Sequence, residues 1–406
     1  MWGIMGDFSF EIVARDKGSR ARAGVIKTRH GEIETPYLVP VGTCGTVRGV
    51  DPKLLEGMGG QCMLANTYHL HFQPGDELIK KMGGLGKFIN WNKPIFTDSG
   101  GFQAFSLGLG AVHGSRKIGY FPEEREVKDS GKKEGKERLA KVNDSGIVFQ
   151  SSYDMSYELM TPKKSMEIQS NLGADIIMAF DECTSQRSEK EYIRKAMERT
   201  HRWAIQSLEH HDKNQALYGI IQGGSFKDLR KESTDFIKSQ GFDGIAVGGS
   251  LGEGKKEMNE LLGCIMECLG EDNRPRHMLG IGWVDDLFEC IERGMDTFDC
   301  VQMTRIARHG NLYVSPPEGN LKNKFKIKIS KTKYEEDKGP IDGICRCYTC
   351  LNYSRAYLNH LYKAKELSYH GLASIHNIHF ILDLVKQIRE SIINGNFSEL
   401  KRKWLG

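Results

Sequence analysis

The chain has 406 residues, with 57 Lys and Arg against 53 Asp and Glu, a net charge of +4. Hydrophobic residues at 39% and charged residues at 27% are ordinary for a folded globular chain. No run reaches the roughly 18 apolar residues of a membrane span, and the near-even charge balance makes any basic face local. The start, MWGIMGDFSF, has neither a basic end nor a long apolar run, so no secretory signal is expected. Ten cysteines in such a chain belong to a reducing compartment, free or on metal, and a cytoplasmic protein is expected.

Eight short apolar runs recur along the chain. They are YLVPVG from Tyr37, CMLANT over Cys62–Thr67, IFTDSGG from Ile95, DIIMAFDE from Asp175, ALYGIIQGG from Ala216, GIAVGG from Gly244, HMLGIG from His277 and TFDCVQ from Thr297. Runs of this length bounded by glycine read as strands buried on both faces. Helical segments lie between many of them. In the segment from Ser188, Tyr192, Ala196, Ala204 and Leu208 fall near one face; in the next, Leu229, Phe236 and Ile237 align and Gly241 is expected to close the helix. Eight strands alternating with helices predict an α/β fold, a (β/α)₈ TIM barrel, against the alternative of an open doubly wound sheet. The barrel is preferred because Asn66, Asp98, Asp181, Gln222, Gly248, Gly249 and Asp299 stand at C-terminal strand ends, which a barrel gathers at one mouth.

From Glu123 to Lys141 the chain carries seven basic and six acidic side chains and no aromatic one, so a solvated insertion of about residues 108–146 is expected. Residues 1–406 are otherwise read as one catalytic unit with a metal-binding subdomain at about residues 340–385. There, Cys345, Cys347 and Cys350 lie within six residues. Three such thiolates suit a tetrahedral ion whose fourth ligand comes from a distant helix. His376 is preferred because a helix is expected to start there; His360, His370 and His379 compete. Three thiolates and an imidazole leave no open position, which implies a structural zinc ion. Three free cysteines on a turn are the alternative.

Asp98 in TDSGGFQ is followed by two glycines and by Phe102, a flat face for a planar ligand. Any one strand-end acid could be a helix cap. Of Asp98, Asp181, Gln222 and Asp299, facing one mouth, an Asp and the Gln together with glycine backbone groups can match a purine edge, which offers N–H donors to a carboxylate and an O6 acceptor to an amide. Two further acids could run a displacement at a sugar carbon, one as nucleophile and one moving protons.

TDSGGFQ, MAFDEC, IIQGG, AVGG, GMDTFDCVQMTR and the C-x-C-x₂-C…HN cluster resemble, in order, the motifs of the tRNA-guanine transglycosylases, over nearly the whole chain from about Glu11. The resemblance implies a zinc-bearing (β/α)₈ barrel, with one structural zinc ion per subunit, that exchanges the wobble guanine of GUN-anticodon tRNAs for a 7-deazaguanine base in queuosine biosynthesis. It implies Asp299 as nucleophile on ribose C1′ and Asp98 as general acid/base. Asp181, Gln222, Gly248 and Gly249 match base-recognition positions, with Phe102 stacking and Ser99, Asn66 and His69 near the pocket. Arg305 and Arg308 match residues that grip the anticodon loop. Bacterial relatives work as homodimers, and a homodimer is expected here.

Some features depart from the family pattern. The loop GGSLGEG, Gly248 to Gly254, is one residue shorter than the family's usual form, and it touches the 7-substituent. Trp283 stands where bacterial members often carry Lys. The charged insertion has no counterpart in compact bacterial enzymes, and an archaeal-type C-terminal RNA-binding domain is not expected. 7-Aminomethyl-7-deazaguanine is the expected incoming base, with queuine and then 7-cyano-7-deazaguanine as alternatives. Two rivals were weighed. A metal-dependent amidohydrolase would use His69 and His71 but lacks later histidines where Gln222 and Gly248 stand. A non-catalytic tRNA-binding subunit would lack the acids that Asp98 and Asp299 supply.

Overall fold

The structure, a computed structural model, describes residues 8–102, 140–151, 155–185, 188–249, 251–252 and 254–406. The charged stretch from Glu123 to Leu139, and Ser250 and Glu253 of the shortened loop, lie outside the described residues. Three antiparallel strands come first: β1 (Ser9–Arg15), β2 (Arg22–Thr28) and β3 (Gly31–Thr35). Barrel strands β4 (Tyr37–Pro40), β5 (Met63–Ala65) and β6 (Ile95–Thr97) follow. Lys141, the end of the charged segment, begins no free loop: it lies in an antiparallel sheet of β7 (Ala140–Asn143), β8 (Gly146–Gln150) and β9 (Tyr157–Met160). The barrel resumes with β10 (Ile176–Met178), β11 (Ala216–Ile221), β12 (Gly244–Val247), β13 (Arg276–Met278) and β14 (Thr297–Cys300), and the hairpin β15 (Asn311–Tyr313) and β16 (Lys326–Lys328) follows.

The eight predicted runs are the eight barrel strands. All are parallel, and their order around the sheet is their order in the chain. β14 pairs with β4, and a parallel bridge from Val41 to Leu64 closes the ring between β4 and β5. An open doubly wound sheet reverses strand order and leaves two edges, so the alternative falls. Every residue of β11 is buried, as expected of a strand with side chains packed both inside the barrel and under helices.

The outer helices bury stripes displaced from the predicted ones. Helix Lys190–His210 buries Ile193, Ala196, Met197, Thr200, Trp203, Ala204 and Ser207. Tyr192 and Leu208 are only half-buried, and the Tyr192 hydroxyl donates to Glu182 at 2.6 Å. Helix Lys227–Ser239 buries Leu229 and Ile237. Its cap residue Gln240 is extended at φ −91°, and Gly241 has no positive φ, so no left-handed stop closes this helix.

At the N-terminal end of the barrel a buried ion pair clasps the first sheet to β14. Arg22 Nε and Nη2 donate to the two oxygens of Asp296 at 2.8 and 2.6 Å, and both side chains are at most 1% exposed. Asp296 Oδ2 also accepts from Arg276 N at 2.7 Å. The long helix Leu367–Ile393 packs across β1, β2 and β4, and Arg389 Nη1 donates to Gly24 O at 2.7 Å and Thr35 O at 2.5 Å. Asp296→Ala leaves the Arg22 cation buried and unpaired and is expected to cost about 3–5 kcal/mol in urea unfolding. Adding Arg22→Met should return most of that loss; an unchanged midpoint in the single variant would show that the clasp carries no stability.

Candidate active site and metal centre

The C-terminal strand ends enclose a cavity of about 450 Å³. Its wall includes Asn66, His69, Asp98, Ser99, Phe102, Asp181, Gly249, Asp299, Arg305 and Arg308, all singled out in the sequence. Gln222 and Gly248 are not on the wall. They lie one layer behind, and Gln222 is 2% exposed.

Asp98 follows β6 and meets the start of helix Thr67–Phe72. Its Oδ1 accepts from Thr67 N at 2.9 Å and Gly100 N at 3.3 Å, and its Oδ2 accepts from Asn66 Nδ2. Burial pushes its pKa up to about 7. The Thr67 N–H opposes that rise, and the negative charge of Asp299 adds to it. Asp299, inside β14, keeps one oxygen engaged: Oδ1 accepts from Gly280 N at 3.0 Å and faces His277 Nε2 at 3.2 Å. The cavity therefore holds one carboxyl poised near neutrality and a second, Asp299, whose Oδ2 accepts no hydrogen bond among the described residues.

Asp181 accepts from Ser99 Oγ and Gln222 Nε2, each at 2.7 Å. Burial raises it to about 6, with these two donors pulling it back. Two glycines make the close packing possible. A Cβ on Gly101 would stand 2.1 Å from Asp181 O. One on Gly249, at φ +74°, would stand 2.4 Å from Gln222 Oε1, a buried acceptor with no partner among the described residues. Phe102 puts a flat aromatic face on the same cavity wall as the Asp181 carboxyl, a combination that can take a planar ligand carrying N–H donors.

The rim is cationic. Helix Gln302–Arg308 begins just after β14 and carries Arg305 and Arg308. Arg48, which sequence reading missed, joins them from the loop after β4. Burial holds the Arg308 guanidinium below its usual pKa, and Arg48 and Arg305 repel it further. Arg308 Nη1 is buried without a partner among the described residues. Three converging guanidiniums call for an anion, and phosphates supply one. Trp283 lines the same cavity and lies under the ammonium groups of Lys324 and Lys326, at 5.5 and 4.6 Å from its centroid.

His69 lines the cavity, whereas His71 turns away to Asp76 and Glu158, at 2.6 and 2.9 Å. The two therefore do not form a shared ligand pair. The sequence reading also gave no role to His277, a fully buried polar side chain between Arg276 and Met278 in β13.

The ligand atoms of Cys345, Cys347, Cys350 and His376 all lie within 4.8 Å of one another, so the four could hold a metal ion. His376 Nδ1 is 3.7, 3.5 and 3.3 Å from the three sulfurs in that order. Its Nε2 donates to Tyr313 O at 2.7 Å, which leaves the Nδ1 lone pair facing the thiols, as a ligand requires. His379 Nδ1 lies near Cys345 Sγ, at 3.6 Å. His376 does not open a helix, as the sequence suggested. The helix starts at Leu367, one segment earlier than the polar HNIH stretch implied, and His376 projects from its interior.

The model of the queuine tRNA-ribosyltransferase family matches residues 16–406. A protein of Archaeoglobus fulgidus is 52% identical over 391 residues, covering 95% of this chain and 97% of its own. Queuine tRNA-ribosyltransferases of Roseiflexus sp. and Caldanaerobacter subterraneus are 44% and 41% identical over 411 and 404 residues. These alignments cover 98% and 99% of this chain, and 99% and 98% of the relatives.

One metal ion per chain is expected by elemental analysis. Chelation or Cys347→Ser should remove it and lower Tm by on the order of 10 °C, as several kcal/mol of binding energy leaves the folded state. Full occupancy in Cys347→Ser would overturn the ligand set.

Proposed function

The chain belongs to the queuine tRNA-ribosyltransferase family of tRNA-modifying transferases, and from that premise we propose that it exchanges the wobble guanine of GUN-anticodon tRNAs (Asp, Asn, His and Tyr) by double displacement. The observation that carries this reading is the pair Asp98 and Asp299 on one cavity wall, beside the Asp181 and Gly249 base site. In the first step Asp299 Oδ2 attacks ribose C1′, the bond from C1′ to guanine N9 breaks, and Asp98 gives its proton to the departing guanine. In the second, Asp98 takes the N9 proton of the incoming base, N9 bonds to C1′, and Asp299 leaves as carboxylate. A carboxyl near pKa 7 suits both proton transfers.

Asp181 reads the N–H edge of the base, positioned by Ser99 and Gln222, and Phe102 covers its face. Gly248 and Gly249 set the adjoining backbone. Arg305 and Arg308 hold the anticodon loop, with Arg48 beside them. The incoming base is 7-aminomethyl-7-deazaguanine, because the carboxyl groups left free once Asp299 is esterified, Asp98 and Asp181, favour an ammonium over a nitrile. Competition kinetics against queuine and the cyano base on one tRNA reads this preference directly.

The ion at Cys345, Cys347, Cys350 and His376 is zinc, one per subunit, structural within a subdomain of about residues 340–385 of a single catalytic unit. When bound it cross-links those segments and supplies no chemistry to the exchange. The protein acts in the cytoplasm, where tRNA is found and thiols stay reduced. Among the described residues no helix is long and apolar enough to cross a membrane. It acts as a homodimer. Ile344, Tyr348, Leu351, Tyr357 and Leu367 in and beside the metal-binding segment are exposed apolar side chains that a second copy could cover, and light scattering should give twice the chain mass of 45.8 kDa.

A tRNA–protein adduct trapped on a denaturing gel tests the central step, and Asp299→Asn should abolish it along with labelled-guanine exchange. Full exchange in that variant would refute the reading. The acid form of Asp98 exists below its pKa, so kcat/KM for tRNA is expected to fall as pH rises through about 7. Asp98→Asn should cost about 10²–10⁴-fold and erase that limb.

A further inference from the structure

His277 sits on β13 with no exposed surface, although the reaction proposed above gives it no part. Its Nε2 lies 3.2 Å from Asp299 Oδ1, and its Nδ1 lies 2.9 Å from Thr297 Oγ1. The ring stacks on Phe96 with centroids 5.5 Å apart and 28° between planes. A neutral ring keeps both contacts only with its proton on Nε2: Thr297 O–H then donates to Nδ1, and Nε2–H donates to Asp299. The opposite tautomer would set a nitrogen lone pair against a carboxylate oxygen. The Asp299 oxygen therefore selects the tautomer, the fully buried Thr297 hydroxyl meets Nδ1 on the other side, and Phe96 holds the plane of the ring.

We propose that His277 is a positioning residue that engages Oδ1 of Asp299, leaves Oδ2 to bond to C1′, and favours the departure of Asp299 from the sugar. The proposal rests on Asp299 being the nucleophile. Gly280 N–H shares Oδ1, and among the described residues none donates to Oδ2. Once the ester forms, Oδ1 is a neutral carbonyl oxygen and accepts weakly. When the bond from C1′ to Oδ2 breaks, its electron pair returns to the carboxylate, the incoming N9 having taken its place on C1′. Hydrogen bonds to an ion are about twice as strong as neutral ones, so the His277 donor strengthens as the adduct resolves.

The test begins with the wild-type adduct. If no adduct forms, or Asp299→Asn still forms it, the nucleophile assignment fails and His277 loses its premise. With that adduct in hand, His277→Phe keeps the ring and the stack but removes the donor. Decay of isolated adduct on adding base should slow about 10- to 100-fold, and the steady-state adduct fraction should rise. KM for the base should stay within about twofold, because Asp181 and Gly249 are untouched. His277→Gln, which restores an N–H, should recover part of the decay rate. Thr297→Val, which removes the hydroxyl that anchors Nδ1 and so loosens the ring over Asp299, should slow decay in the same direction, and it serves if His277→Phe fails to fold. Wild-type decay in the Phe variant or, failing that, in the Val variant would overturn the proposal. So would a raised KM with unchanged decay.

Discussion

Eight parallel strands closed into a ring must all end at the same rim, because each returns to the start of the next along the outside of the barrel. Closure here comes down to the seam between β4 and β5, where Val41 pairs with Leu64 and Gly42 N donates to Leu64 O at 2.7 Å. Without that seam the sheet would be open, with β4 and β5 as its two edges, and the residues following β5 and β14 would lie at opposite ends of it. With it, Asn66 after β5, Asp98 after β6 and Asp299 in β14 face one cavity. Residues separated by some two hundred positions in sequence thus become neighbours through backbone pairing alone.

That convergence creates an electrostatic problem. Three carboxyl groups in one half-buried space repel, and burial penalises each ion. The fold answers with donors on short tethers. Asp98 takes the first N–H of helix Thr67–Phe72, that of Thr67, together with the side-chain amide of the cap residue Asn66. Asp181 takes a hydroxyl and an amide, and Asp299 a backbone N–H and an imidazole. The compensation is incomplete at Asp98 and Asp181, held near 7 and 6, so the site keeps a proton available close to neutrality. The same rim carries the opposite imbalance a few residues further out, where Arg48, Arg305 and Arg308 have no carboxylate among the hydrogen bonds described for them. An acidic floor beneath a basic rim suits a ligand with a donor-rich base at one end and phosphates at the other.

The barrel was legible because doubly buried strands need continuous apolar runs, and polar residues follow each run only where the chain reaches the rim. The cysteine cluster was legible because three thiols in six residues have few other uses. Facing directions were harder to read. Tyr192 and Leu208 looked like core because they are large and apolar, yet Thr200 and Ser207 take that face, small enough to lie against the barrel, with their hydroxyls on Glu182 N and Phe180 N. Gln222 ends its strand as predicted, but its amide is drawn back to Asp181 and so leaves the wall. Arg48 gave no periodic signal, since it lies in a glycine-rich loop. His277 looked like one polar interruption in a strand, and its partners Thr297 and Asp299 come from the neighbouring strand, a pairing visible only once β13 and β14 are in register.

The metal centre and the rim are linked through one short stretch of helix. His376 donates to Tyr313 O on β15, and the next residue, Asn377, accepts from Tyr313 N at 3.0 Å. Asn377 Nδ2 donates to Asn311 O at 3.1 Å and to Met303 O at 3.0 Å. Met303 belongs to helix Gln302–Arg308, which carries Arg305 and Arg308. Three cysteine sulfurs thus meet His376 from one side, while Asn377, fully buried, grips the arginine helix from the other. A buried amide satisfied by three backbone groups has one geometry, and losing it would leave several polar groups unpaired at once. An ion held by these four residues would therefore bear on the rim through register: it would fix where the arginine helix stands relative to the strand that carries Asp299.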